Sequence, residues 1–597
     1  MPKGPQQQVS TLGHNVVSNI KETLEALVVA FILAFVFRAF VLEAFVIPTG
    51  SMAVTLYGAQ VTNTCSTCGY EYARGIGDEE TGASNGPVHA VQLRCSNCDT
   101  MVDQIPSSAL RQPDSGDRIL VLKWAYDLGI PNLGAHRWDI TVFKNPSDGL
   151  ANYIKRLVGL PGEVLEIIDG DVYTAPIADL QRKEPGLIEA LDALRQQVAR
   201  HYDPALRPGS LHGPYPHDRP DLMKMYELLN RRLLPHLQIQ HKTKLAQESL
   251  WATVYDHDFC PAKQSAGHPL SPVCWKPLDE AARRAWDTSK PEMTFSSDTD
   301  TPLAIRLEGK PIQDFVAYNF SQVVGRSDDG AFPVGDLRLR FVWFPDAGDG
   351  SITMQMNRDR DTFVAEVRRD GTMSLDHLRN DLPGGKEQIG QARLPQPFAA
   401  KRAVSIEFVN VDYRVSLHVD GTEVMASTPQ QYAPDLNRGL EVSLQPSLVQ
   451  PTQVQIAARN LRCRLRHLLL HRDVYYRAVR QNERPPHGPD NPYLNWPGWG
   501  TAGCPIMLKP ERYVDGQRYY GEYFMLGDNS PVSKDSRRWW EIGPHLTHLG
   551  EEFQLGTVPG DQLVGRAFFV YWPAGYRISW IPNIGLVPNF GQIRWIR

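Results

Sequence analysis

The chain has 597 residues, 62 Lys and Arg against 67 Asp and Glu, and a formal net charge of −5, which gives no basic footprint for nucleic acid. At roughly 150 residues per domain that length holds about four units. The 46 Pro and 47 Gly favour strands and loops over long helices.

A short tail (1–23) leads into the apolar run "ALVVAFILAFVFRAFVL", Ala26 to Leu42. Its uncharged part, Ala26 to Phe37, is twelve residues, the length of a signal-peptide core or a buried helix. Counting on to Ile47 gives 22 residues, enough to span a bilayer if Arg38 snorkels to the interface. We expect a single uncleaved transmembrane helix over 24–47. A cut near Ala44 would instead leave Ser51 at a frayed terminus. Lys3 and Lys21 favour an inside N-terminus, although Arg38 lies at the other end of the run.

The stretch "FVIPTGSMAVTL" follows at once and presents Ser51 on a small polar turn. An insert at 62–106 carries "CSTC" and "CSNC", Cys65, Cys68, Cys95 and Cys98, with 26 residues between Cys68 and Cys95. Two CxxC knuckles suit one tetrahedral structural zinc in a ribbon, with disulfides as the competitor on an oxidising side of the membrane. Cys260 and Cys274 are candidates for a disulfide, and Cys463 and Cys504 have no assignment.

Residues 48–61 and 107–173 form the first part of a core, and 114–173 read as short β-strands, among them "DRILVLKW", "WDITVFK" and "EVLEIIDGDVY", with Asp169-Gly170 as a hairpin turn. Residues 174–294 have helical Leu and Met spacing and predict a partly helical insert, a spacer packed on the core. From 295 to 470 the pattern alternates, and Asp370-Gly371 and Asp420-Gly421 mark tight hairpins. That predicts a β-sandwich. A Pro/Gly/Trp-rich linker (471–515) precedes "YFMLGDNS" and "LVGRAFFVYW", which complete, over 516–597, the sheet begun at 114–173.

Within "NYIKRLVGLPGE", Lys155 sits in a frame of Tyr153, Ile154, Leu157 and Val158. A lysine in an apolar site loses solvation of its charged form, so its pKa falls. The neutral amine can then take a serine proton, giving a Ser–Lys dyad of Ser51 and Lys155. Lys123 and Lys144 read as solvated surface groups.

"FVIPTGSM", "DRILVLKWAYDL", "YIKRLVGLPGE" and "GDNSPVSKDSR" together resemble the boxes of the type I (bacterial) signal peptidases, the S26-type Ser/Lys peptidases. The resemblance implies Ser51 as acylating nucleophile and Lys155 as general base. It also implies an oxyanion hole from the Ser51 N–H and the Thr49 hydroxyl. Ser533 would orient the lysine amine, Asp535 and Arg537 would form an ion pair, and Asp528 would pair with Arg156. Phe45, Ile47, Met52, Leu56, Tyr153 and Ile154 match positions lining the shallow pockets for small signal-peptide side chains. Two departures stand out. Met52-Ala53-Val54-Thr55-Leu56 lacks the usual proline, and Trp138-Asp139 stands where the family often has Gly-Asp. The 295–470 region resembles concanavalin A-like jelly rolls by pattern rather than by motif.

The fold class expected is therefore mainly β. It comprises a transmembrane helix and a signal-peptidase-type β core, interrupted by a small four-cysteine insert, a partly helical insert and a jelly-roll-like sandwich. The implied function is membrane-bound removal of signal peptides from exported proteins, at the cytoplasmic (inner) membrane with the catalytic domain outside. Expected partners are signal peptides, membrane lipid and the translocation machinery, with a carbohydrate or protein ligand for the sandwich and no nucleic acid. Catalysis needs no cofactor; zinc would be structural. The alternative is a membrane-tethered binding protein that uses the sandwich on an inactive peptidase core.

Overall fold

The computed structural model describes residues 9–76, 91–105, 114–127, 134–200, 220–261, 273–315, 318–319, 331–379, 385–478, 498–514, 516–539, 542–574 and 589–596. The first element is a helix, Val9–Phe40, whose apolar side chains from Leu24 to Val36, and Phe40, are exposed. It does not continue to residue 47. Leu42–Val46 is a strand whose Leu42 to Val46 pair with Leu122 to Arg118, and Glu43 forms an ion pair with Lys123 at 3.3 Å. Hence Lys123 is not a free surface group. The expected 24–47 span is therefore not one helix, because its last residues are drawn into the sheet. Among the described residues no helix is long and apolar enough to cross a membrane. The twelve uncharged residues Ala26–Phe37 rise only about 18 Å, against a hydrocarbon core of about 30 Å.

That first strand opens the largest sheet of the N- and C-terminal regions, the one that carries Lys155. Its order is 42–46, 118–122, 563–572, 140–144, 152–159, 522–526 and 558–559, with 594–595 added to 563–572. Strand 563–572, from the C-terminal part of the chain, lies between 118–122 and 140–144, so neither half closes the sheet alone. A second sheet orders 238–239, 171–176, 163–168 and 506–508. The strand Ile506–Leu508 falls inside the expected linker; its three apolar residues are buried against Val164 and Leu165. Asp169 and Gly170 both take positive φ, 50° and 85°, as a two-residue type I′ hairpin requires.

The insert after residue 174 is helical only in part. Helices Ile177–Lys183, Leu187–Arg200, Pro220–Leu233 and Lys244–Leu250 pack on the core. The strands Ala252–Asp256, Cys274–Pro277 and Met293–Ser297 already belong to the sandwich, which starts earlier than residue 295. The sandwich has two antiparallel sheets, one built on 461–472, 337–347 and 404–411, the other on 454–459, 351–358 and 361–368. Alternate side chains from both, including Phe341, Trp343, Met354, Met356, Phe363 and Phe408, fill one core. All eight cysteines are free, so the expected Cys260–Cys274 disulfide is absent. Cys274 lies in a strand paired with 303–308, whereas Cys260 follows the strand Ala252–Asp256, which pairs in the other sheet.

Sandwich and core are joined by buried charge. Arg358 of the sandwich donates to Asp171 (2.8 Å) and Asp169 (3.0 Å) on the core hairpin and to Asp336 (2.6 Å). Lys242 reaches Asp412 and, at 2.8 Å, Asp473. The carboxylates of Asp171, Asp336 and Asp412 cluster closely, but these two cations already lie among them.

A different buried acid reports on the second sheet. Glu166 is fully buried; its Oε1 accepts from Gly503 N (2.7 Å) and Asn230 Nδ2 (3.0 Å), and its Oε2 has no hydrogen bond. Burial pushes its pKa up to about 8. The folded chain therefore keeps a proton that the unfolded chain releases near pH 4, and stability falls as pH rises from about 4 towards 8. Glu166→Gln is expected to remove that contribution, at most about 1.4 kcal/mol per pH unit. Urea unfolding of both proteins between pH 5 and 9 measures it, and identical pH slopes would contradict it.

Candidate active site

The chain leaves the sheet at Ile47, whose N–H donates to Asp117 O at 2.9 Å, and makes one tight turn, Gly50–Met52. Met52 is wholly buried with Ile47, Leu56, Ile119, Val121, Ile140 and Val142, and that anchor fixes the turn. Ala53 N donates to Gly50 O and Leu56 N to Met52 O. Ser51, one residue before the anchor, stays half-buried and faces the strand Asn152–Gly159.

On that strand Thr141 pairs with Lys155 and Ile140 with Arg156. Lys155 is 4% exposed. Its Nζ lies 2.7 Å from Ser51 Oγ and 3.0 Å from Ile154 O, and 5.5 Å from the centre of the Tyr153 ring. Burial pulls the amine down to about 8, against the opposing charges of Asp535 and Asp528. Both carboxylates are engaged elsewhere. Asp528 accepts from Arg156 Nε (2.8 Å) and Nη2 (2.7 Å) in a fully buried bidentate pair. Asp535 accepts from Arg537 Nε (2.9 Å) and Nη2 (2.7 Å) and from Gly527 N (3.0 Å). Desolvation therefore wins, and a lysine that loses its proton near neutral pH can serve as a base.

The 527–537 loop also grips the serine turn, a role that the sequence reading did not assign. Asn529 N donates to Ser51 O at 3.1 Å and Asn529 Nδ2 to Gly50 O at 2.9 Å. Gly527 lies so close that a Cβ there would meet Ser51 O at 2.6 Å and Ser533 Oγ at 2.1 Å. Ser533 itself departs from expectation. It is buried and its Oγ makes no hydrogen bond. The hydroxyl lies against Gly527, while the lysine amine uses Ile154 O instead. Thr49 is exposed beside the turn, and its side chain makes no capping hydrogen bond.

The six expected pocket residues divide. Ile47, Met52 and Leu56 are sealed in the core; Phe45 and Ile154 pack at the edge of the same cluster, partly exposed. Tyr153 joins a different cluster with Phe143, Leu157 and Trp539. Ser249, on the helix Lys244–Leu250, was not foreseen either. Its Oγ accepts from Arg156 Nη2 at 3.2 Å and its carbonyl from Thr55 Oγ1 at 3.0 Å. No local pattern marks a partner so distant in sequence.

The four ribbon cysteines converge. Their sulfurs all lie within 4.8 Å of one another, with Cys65–Cys98 at 3.6 Å and Cys68–Cys95 at 3.7 Å. The two knuckles repeat one backbone pattern. Cys65 N donates to Tyr70 O and Gly69 N to Cys65 O, and likewise Cys95 N to Thr100 O and Asp99 N to Cys95 O. Gly69 and Asp99 both have positive φ, 76° and 61°. A tetrahedron of roughly 2.3 Å Zn–S bonds has sulfur–sulfur edges of about 3.8 Å, so the donor set fits zinc. Asn97, between the second pair, donates to Asp256 O (3.0 Å) and Phe259 O (3.2 Å) and accepts from Asp256 N (2.7 Å), which ties the ribbon to the sandwich.

Residues 101–199 and 515–572 match the family of signal peptidase, peptidase S26. Lys155 and the 527–537 loop fall inside the matched residues; Ser51 lies before them. Signal peptidase I of Pseudomonas fluorescens is 44% identical over 124 residues, covering 16% of this chain and 43% of that protein. Signal peptidase I of Pseudomonas aeruginosa is 30% identical over 113 residues, covering 16% and 39%. Signal peptidase I of Rickettsia prowazekii is 26% identical over 185 residues, covering 30% and 53%. The chain thus spans about half the length, or less, of these relatives. Among solved structures, the carbohydrate binding module CBM66 from Bacillus subtilis aligns with a TM-score of 0.22 at 10% identity, covering 33% of this chain and 95% of that one.

The Arg156–Asp528 pair yields a direct test of how the lysine strand is held. Asp528→Ala leaves a fully buried guanidinium without its carboxylate and is expected to cost about 3–5 kcal/mol of unfolding free energy. Chemical denaturation reads it; a loss below about 1 kcal/mol would show that the strand does not depend on the pair.

Proposed function

We propose that the chain is a serine endopeptidase of the signal peptidase I type that removes N-terminal signal peptides from exported proteins through an acyl-enzyme on Ser51. The observation that carries this reading is the 2.7 Å approach of the buried Lys155 amine to Ser51 Oγ, in a core whose Lys155 and 527–537 loop fall within the peptidase S26 match. As Ser51 Oγ attacks the scissile carbonyl, neutral Lys155 takes its proton. The Ser51 N–H and the Thr49 hydroxyl receive the oxyanion. Lys155 then passes the proton to the leaving amine, which departs; neutral again, Lys155 deprotonates a water that attacks the acyl carbonyl, and returns the proton to Ser51 Oγ as the acyl group is released as a carboxylate. No cofactor enters these steps.

The N-terminal helix, with exposed apolar side chains from Leu24 to Val36 and at Phe40, is proposed to hold the chain at the cytoplasmic membrane with Arg38 at an interface. The catalytic domain would then stand outside, where signal peptides emerge from translocation. The ribbon is proposed to bind one structural zinc through Cys65, Cys68, Cys95 and Cys98.

Two experiments test this. Wild type in detergent is expected to cleave a synthetic signal peptide with Ala at −1 and −3. Ser51→Ala and Lys155→Ala are each expected to lower kcat/KM by about 10³-fold or more. Because the base must be neutral, kcat/KM should rise with pH through one ionisation near 8. Cleavage retained by either folded variant would exclude the dyad. For the ribbon, the purified chain is expected to carry one zinc per molecule by atomic emission. A Cys65→Ser/Cys95→Ser variant should lose the metal and melt at lower temperature, and a metal-free wild type of equal stability would exclude zinc.

A further inference from the structure

The β-sandwich insert touches the serine turn itself. Tyr318 and Asn319 lie in the segment between sandwich strands 303–308 and 337–347, far from the peptidase boxes in sequence. Asn319 is fully buried and forms a reciprocal amide pair with Asn529. Asn319 Nδ2 donates to Asn529 Oδ1 at 2.7 Å, and Asn529 Nδ2 donates to Asn319 Oδ1 at 2.7 Å. Asn529 is the residue whose other amide hydrogen holds Gly50 O at 2.9 Å and whose backbone N–H holds Ser51 O at 3.1 Å. Without Asn319 the Asn529 side chain keeps only its bond to Gly50 O, and its buried oxygen is left unpaired.

Tyr318 closes the other side of the turn. Its ring covers Gly50 so closely that a Cβ at Gly50 would meet its Cε1 at 2.4 Å, and it presses equally on Gly75 of the ribbon, again 2.4 Å from a Cβ placed there. It is buried and tilts against Tyr57 at a centroid distance of 5.6 Å. Thus three modules meet on one tyrosine, and Gly50 has no room for a side chain.

We infer that Asn319, with Tyr318 packed beside it, is a positioning residue for the Ser51 nucleophile, so that the sandwich insert is a working part of the peptidase site rather than an appended domain. The inference rests on the peptidase reading above. A serine displaced by about 1 Å from its base and its target can lose about 10²-fold in rate, and Asn529 is the only described side chain that hydrogen-bonds a carbonyl of the Gly50–Met52 turn. Asn319 sets how firmly that side chain is held.

The test uses the full chain in detergent with two readouts. One is steady-state cleavage of the synthetic signal peptide. The other is acylation of Ser51 by p-nitrophenyl acetate, in which Oγ attacks the ester carbonyl, p-nitrophenolate leaves, and Lys155 takes the serine proton; mass spectrometry locates the acetyl group. Asn319→Ala is expected to lower both kcat and the acylation rate about tenfold or more. KM should stay within about twofold, and the pH midpoint near 8 should be kept, since Lys155 is untouched. Asn319→Asp is nearly isosteric and serves if the alanine variant folds poorly. It keeps the acceptor for Asn529 Nδ2 but not the donor, and should show the same loss. Unchanged kcat and acylation would overturn the inference. So would a loss that vanishes when the assay is run far below the variant's melting temperature, because that marks a contact that only stabilises. Wild type that acylates but cleaves no signal peptide would count against the peptidase reading alone, and the Asn319 effect on acylation would still decide the positioning role. Wild type that does neither would end both.

Discussion

The structure turns on one buried amine. An ammonium taken out of water is costly unless an opposite charge is free to meet it, and two carboxylates lie near enough to Lys155 to raise its pKa. Each is committed to a guanidinium instead, Asp528 to Arg156 and Asp535 to Arg537. Burial therefore outweighs the two carboxylates and lowers the pKa of the amine that faces the Ser51 hydroxyl. The two arginines act less as ornaments of the loop than as the means by which the carboxylates are kept from claiming the lysine. The Arg156–Asp528 pair fastens the 527–537 loop to the lysine strand, while Asp535–Arg537 braces the loop internally, so the electrostatic arrangement and the geometric one are a single construction.

The inserts are bound into that construction. The helix Lys244–Leu250 places Ser249 on Arg156, the ribbon reaches the sandwich through Asn97, and the sandwich reaches the core hairpin through Arg358 and the serine turn through Asn319. Most of these links are buried hydrogen bonds or ion pairs with defined partners, which fix relative position more strictly than apolar packing does. A spacer would need none of them.

The sequence reveals those parts whose chemistry is local. Ser51 on a Gly turn, Lys155 in an apolar strand, the CxxC pairs and the Asp-Gly hairpins each show within a dozen residues, because turn chemistry and period-two burial are short-range properties. What stays hidden is set by distant partners. The apolar run 26–47 reads as one helix, and only the pairing of 42–46 with 118–122 breaks it. The sandwich begins near residue 252 because those strands pair with 461–472, which no window on 252–297 displays. Ile47, Met52 and Leu56 fit a pocket or a core equally well by type, and their burial shows core. Ser533 carries the right residue type at the right spacing, yet its hydroxyl lies against Gly527 rather than on the amine. The Asn319–Asn529 pair links positions 210 apart in sequence, where an asparagine on each side looks like any loop residue.

The interleaving of the sheet that carries Lys155 has a consequence in time. Arg156 and its partner Asp528 are separated by 372 residues, and at about 5–20 residues per second a ribosome needs roughly 20–70 s to make the second after the first. Throughout that interval the lysine strand lacks its neighbour 522–526 and the serine turn lacks Asn529. The sandwich, whose strands lie wholly between these two points, can complete its own core meanwhile. A chain assembled in this order has no completed Ser51–Lys155 site until its C-terminal strands have been made.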